Sequence, residues 1–141
     1  MGQQRFSVGE EATLSKTITE QDVVDFARVS GDRNPLHLDE EYARATRFGG
    51  RIAHGLLVAG LISAVLGTKL PGPGAVYRSQ HLEFKRPVHV GDQVTARVRI
   101  AAWNPEKGHM TLATEVIDAE GRPVIEGEAR LVVPVGSEGG A

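Results

Sequence analysis

Apolar residues along this chain keep two different periods, one on each side of a break at Pro71-Gly-Pro-Gly74. On the N-terminal side Val23, Phe26 and Ala27 recur at helical spacing, which predicts a helix over residues 20–30. Thr19 stands where an N-cap belongs, and Glu20 and Asp22 follow in the first turn, where the helix dipole favours carboxylates. Gly31 ends this helix and Pro35 keeps it from resuming. A weak alternation over residues 10–16 predicts a preceding strand. Residues 53–67 behave differently: Leu56, Leu57, Val58, Leu61, Ile62, Val65 and Leu66 leave no charged face. A helix that is apolar all round is expected to be buried on all sides.

Beyond the break the period becomes two. Residues 76–84, 93–103, 110–118 and 123–133 read as strands. Turn residues stand between them: Gly91-Asp92, Asn104-Pro105 with Gly108, and Glu120-Gly121. Such short connections predict antiparallel neighbours. With the early strand they make a five-stranded antiparallel sheet, and residues 53–67 are the one wholly apolar helix available to cover it. The expected class is α+β, with the sheet wrapped around a central buried helix. One domain is expected over residues 1–135, followed by a disordered tail from Gly136 to Ala141 (GSEGGA).

Composition narrows the function classes. The chain has 141 residues, long enough for a core that needs no staple. With no cysteine, disulfides, thiolate metal sites and cysteine nucleophiles are excluded. A net charge of −2 without a basic run gives no footprint for nucleic acid. The N-terminal residues are polar and the longest apolar stretch is too short to span a bilayer, so a cytoplasmic, membrane-free protein is expected.

The chemistry concentrates in Ser30-Gly-Asp-Arg-Asn-Pro-Leu-His37, between the two helices. Asp32 and His37 are five residues apart, and a turn at Asn34-Pro35 can make their side chains face one another. A carboxylate beside an imidazole suits proton transfer near neutral pH. An Asx-turn aspartate and a packing histidine are the competing reading of the same residues. Arg51-Ile-Ala-His-Gly55 opens the apolar helix, whose N-terminus offers unpaired N–H groups. Gly55, lacking a side chain, lets a carbonyl oxygen approach such an N–H, a candidate oxyanion hole. Tight helix–sheet packing is the alternative role for Gly55, and His54 is read as a capping or packing residue.

The runs SGDRNPLHLDEEYA (30–43), AHGLLVAGLISAVLG (53–67) and EFKRPVHVGD (83–92) together resemble the MaoC-like, (R)-specific enoyl-CoA hydratases (hydratase 2). The likeness extends over nearly the whole chain. It implies a hot-dog fold, a homodimer or dimer of dimers, and reversible syn hydration of trans-2-enoyl-CoA to (R)-3-hydroxyacyl-CoA. Asp32 and His37 match that family's catalytic pair, Asn34 its motif asparagine, and Gly55 its backbone donor to the thioester oxygen. The chemistry requires no metal and no cofactor beyond the coenzyme A of the substrate. Ala59, Ile62, Ser63 and Leu66, spaced along one helix face, are expected to line an acyl slot. Ser63 has the alternative of bonding back to its own helix. Arg47, Arg51, Lys85 and Arg86 are candidates for the coenzyme A phosphates. An acyl-CoA thioesterase and a non-catalytic acyl-thioester binding protein on the same fold are the alternatives. A coenzyme A thioester and a carrier-protein thioester fit the motifs equally.

Overall fold

Each element in the computed structural model, which describes residues 5–134, grows from a recognisable local signal. The tail expected at Gly136–Ala141 lies outside those residues. β1 (Glu11–Thr17) leads into α1 (Glu20–Ser30) through a reciprocal capping box. The Thr19 hydroxyl accepts from the Asp22 N–H at 3.1 Å, and the Thr19 N–H donates to the Asp22 carboxylate at 2.9 Å. Gly31, at φ 84°, closes α1 in the left-handed region, its N–H donating to the Ala27 carbonyl. The expected turn at Asn34-Pro35 is in fact the start of a short helix α2 (Pro35–Leu38), and α3 (Glu40–Arg44) follows at once. Four and five residues are too few to show a helical period, so these elements leave only their caps in the sequence.

α4 (Gly55–Thr68) then crosses the domain, followed by β2 (Val76–Phe84), β3 (Gln93–Asn104), β4 (His109–Asp118) and β5 (Pro123–Val132). The sheet is antiparallel throughout, in the order β1-β3-β4-β5-β2. Short turns do make β3, β4 and β5 successive neighbours, as expected. β2 and β3 are not neighbours, although only residues 85–92 join them. That segment crosses the end of the sheet instead, because its backbone finds other partners: the Lys85 N–H donates to the Val124 carbonyl and the Gly91 N–H to the Ile18 carbonyl.

Val94, Ala96, Val98 and Ile100 alternate inward along β3, and Met110, Leu112 and Val116 along β4. They pack on Val58, Leu61, Ile62, Val65 and Leu66 of α4 to form the core. This is the hot-dog arrangement of a sheet curled around a helix. One expectation fails: α4 is not buried on all sides. Leu56 is 62% exposed, and Gly60, Ser63 and Gly67 are exposed with it. These positions form one stripe at helical spacing that neither the sheet nor α1 reaches in the single chain. Among the described residues no helix is long and apolar enough to cross a membrane.

Candidate active site

The segment after α1 is a chain of local hydrogen bonds that fixes Asp32 before any tertiary contact. Ser30 Oγ donates back to the Phe26 carbonyl at 2.7 Å and accepts from the Asp32 N–H at 3.1 Å. Asp32 Oδ1 accepts from the Asn34 N–H at 3.2 Å, and Asn34 Oδ1 caps α2 by accepting from the Leu36 N–H at 3.0 Å. Asn34 thus spends its side-chain oxygen on the turn, the role of a turn-former, and stands exposed.

α2 presents His37, which is 8% exposed. Its Nδ1 lies 2.7 Å from the Ile52 carbonyl oxygen. A carbonyl only accepts, so Nδ1 carries the proton and Nε2 keeps its lone pair. Burial lowers the proton affinity of His37 and is the largest influence on it. The Ile52 carbonyl opposes that, His54 reinforces it, and the Asp32 charge opposes it more weakly. The balance is a neutral imidazole with a free acceptor nitrogen.

Arg51 is expected among the phosphate ligands but has other partners. Its Nε donates to the His37 carbonyl at 2.7 Å, and the guanidinium, only 12% exposed, pairs with Glu20 at 3.2 Å. It ties α2 to the first turn of α1. His54 likewise exceeds the capping or packing role expected of it. Its ring lies 3.9 Å from the His37 ring at 31°, with Phe26 4.7 Å away. His54 Nε2 donates to the Asp32 carbonyl at 3.0 Å. His54 Nδ1 is fully buried without a hydrogen-bond partner among the described residues. An unpaired buried acceptor costs about 1–3 kcal/mol, which packing alone does not explain.

Asp32, His37 and His54 each offer a ligand atom within 4.8 Å of the other two. A gap of this size between a carboxylate and an imidazole nitrogen suits a single bridging water.

Gly55 begins α4, so its N–H has no helical acceptor. It lines a cavity of about 420 Å³ together with His37, Val58, Phe84, Val88 and Ile125. Arg47, Lys85 and Arg86 also border this cavity. An added Cβ at Gly55 would lie 2.7 Å from the Phe84 ring, so the missing side chain is what lets that ring close over the helix start. The expected acyl-slot residues lie elsewhere. Ala59, Ile62 and Leu66 are buried in the core, Ser63 is exposed on the open stripe, and none borders this cavity. Of the helix only Gly55 and Val58 reach it: Ala59, Ile62 and Leu66 are taken up by the core, and Ser63 faces the open stripe. Asp32 is exposed beside His37 rather than inside the cavity.

Comparison with known proteins is consistent along the chain. Residues 5–120 match the model of the MaoC like domain. The chain is 55% identical over 126 residues to the (R)-specific enoyl-CoA hydratase of Rhodospirillum rubrum, covering 89% of this chain and 87% of that protein. It is 53% identical over 127 residues to the 3-hydroxybutyryl-CoA dehydratase of Methylorubrum extorquens, covering 90% of this chain and 80% of that one. Its fold superposes on the (R)-hydratase from Aeromonas caviae involved in PHA biosynthesis with a TM-score of 0.90 and 44% identity, over 93% of this chain and 99% of that chain.

Proposed function

The chain belongs to the MaoC-like domain family, and from that premise we infer that it is an (R)-specific enoyl-CoA hydratase working through Asp32 and His37. The observation that carries the site assignment is the tautomer of His37: the Nδ1 bond to Ile52 leaves Nε2 as the acceptor of a ring that comes within 4.8 Å of the Asp32 carboxylate. A water donating to both groups keeps a lone pair for the substrate.

The thioester carbonyl draws electrons from the double bond, making C3 electrophilic. As the water oxygen bonds to C3, one of its protons passes to the Asp32–His37 pair, and the π electrons move toward the carbonyl as an enolate. The Gly55 N–H, at the positive end of α4, stabilises the growing oxyanion; one such donor is typically worth about 3 kcal/mol. The pair then returns a proton to C2 from the same face, completing addition of water and regenerating itself. Acid–base help of this kind contributes roughly 10²–10⁴-fold. The site chemistry calls for no metal or redox cofactor, only the coenzyme A carried by the substrate.

The acyl chain runs into the cavity over Val58, Val88 and Ile125, and Arg47, Lys85 and Arg86 at its border attract the coenzyme A phosphates. A homodimer is part of this reading. β2 is an edge strand with Val76, Tyr77 and Phe84 exposed, an unpaired apolar border of the kind that a second copy covers. The cell compartment proposed is the cytoplasm.

The test is incubation with crotonyl-CoA, following loss of the enoyl absorbance and the chirality of the product. Formation of (R)-3-hydroxybutyryl-CoA supports the reading. Release of free coenzyme A thiol, or binding without turnover, overturns it.

A further inference from the structure

His54 takes no step in the mechanism above, yet it touches both members of the catalytic pair. It sits under His37 ring on ring, and its Nε2–H ends on the backbone carbonyl of Asp32 itself. Among the described residues, the other hydrogen bonds of Asp32 are local, reaching Ser30 and Asn34. The bond from His54 ties this exposed turn to the buried residue that precedes α4, across 22 residues of sequence.

We propose that His54 is a positioning residue for the hydration reaction, holding the Asp32 turn at a fixed distance from His37 and from the Gly55 N–H. This rests on the hydratase reading. The geometry makes one rigid unit of three reacting parts. His54 precedes Gly55 directly, so its ring is carried by the same backbone that aims the oxyanion donor. From there it fixes Asp32 by hydrogen bond and His37 by stacking. A hydrocarbon ring would fill the space between Phe26 and His37 equally well. Only a side chain with a donor at the Nε2 position also holds Asp32, and using that donor strands Nδ1 as a buried, unpartnered acceptor. The strained part of the arrangement is thus the consequence of its useful part.

Two variants separate donor from ring. His54→Phe keeps the flat ring and donates nothing; His54→Gln keeps an amide N–H at similar reach and gives up the stack. With crotonyl-CoA, His54→Phe should lose kcat on the order of 10²-fold, the cost of misplacing a catalytic group by about 1 Å. KM should stay within about threefold, since ground-state binding is untouched. His54→Gln should recover most of the loss. Hydrogen exchange at the Asn34 and Leu36 amides, which needs no turnover, should speed up in His54→Phe and return toward wild type in His54→Gln. Wild-type kcat and exchange in His54→Phe overturn the proposal, as does an equal loss of kcat in both variants with exchange unchanged. If His54→Phe does not fold, His54→Gln decides: near-normal kcat and exchange support the proposal, and their loss overturns it. A wild-type protein that turns over no enoyl-CoA refutes the hydratase reading instead, and the exchange comparison still judges the positioning.

Discussion

The Nδ1 atom of His37 lies 2.7 Å from the carbonyl oxygen of Ile52, and this one bond decides which nitrogen of the ring is free to take a proton. Because burial holds the proton affinity of His37 below the ordinary value of 6.5, the competent neutral form persists into mildly acidic solution. The kcat/KM of hydration should therefore be level near neutrality and fall on the acid side with a midpoint under 6.5. Between the folded and unfolded proton affinities the unfolded chain binds more protons, so the contribution of His37 to stability is complete above 6.5 and is lost as pH falls through the folded value. A pH–rate profile and a series of melting curves check both; an acid limb centred at or above 6.5 contradicts the assignment.

Arg51 and the pair Lys85 and Arg86 should separate in steady-state kinetics. Arg51 holds the His37 carbonyl, so Arg51→Ala should lower kcat about tenfold or more while leaving KM nearly unchanged. Arg51→Lys should restore little, since a point charge does not reproduce the fork that grips His37 and Glu20 together. Lys85→Ala with Arg86→Ala should instead raise KM for crotonyl-CoA and spare kcat.

Gly55 and Phe84 should behave as a coupled pair. The methyl of Gly55→Ala would lie 2.7 Å from the Phe84 ring, so the ring or the start of α4 must move. Loss of kcat by about tenfold or more is expected, on the scale of a weakened oxyanion donor. Adding Phe84→Ala makes room for the methyl and should return part of that activity. A double-mutant cycle measures the coupling, and purely additive losses would contradict it.

Chain length should respond to Val58 and not to Ile62. Val58→Phe narrows the cavity and should spare crotonyl-CoA while depressing turnover of longer enoyl chains. Ile62 is fully buried in the core, so Ile62→Ala should cost about 2–5 kcal/mol of stability with the chain-length profile unchanged. Relative rates on C4 to C12 substrates, with a melting curve for each variant, decide between the two positions.

These contrasts follow the line between what the sequence makes legible and what it hides. α1 can be read to within a residue because Thr19, Asp22 and Gly31 are local signals, acting over one turn of backbone. The strands show through their alternation, and Asp32 and His37 stand out as candidates through a motif whose spacing is short. Sheet order is not local: β2 finds β5 rather than β3 because residues 85–92 bond to Ile18 and Val124, far away in sequence. The same limit hides the partners of Arg51 and His54, whose hydrogen bonds span 14 and 22 residues. The expected slot residues meet the same limit. Helical spacing marks an apolar face, but which tertiary neighbour covers that face is decided by the sheet.

The measurement that bears most directly on the whole account is the turnover of crotonyl-CoA by Asp32→Ala and His37→Ala, alongside the melting temperature of each. Asp32 is exposed and His37 sits on a short helix at the edge of the core, so both variants should remain folded. Each should lose at least the roughly 10²–10⁴-fold that acid–base catalysis supplies. Folded variants that both retain near-normal turnover would contradict the claim that this pair carries the reaction.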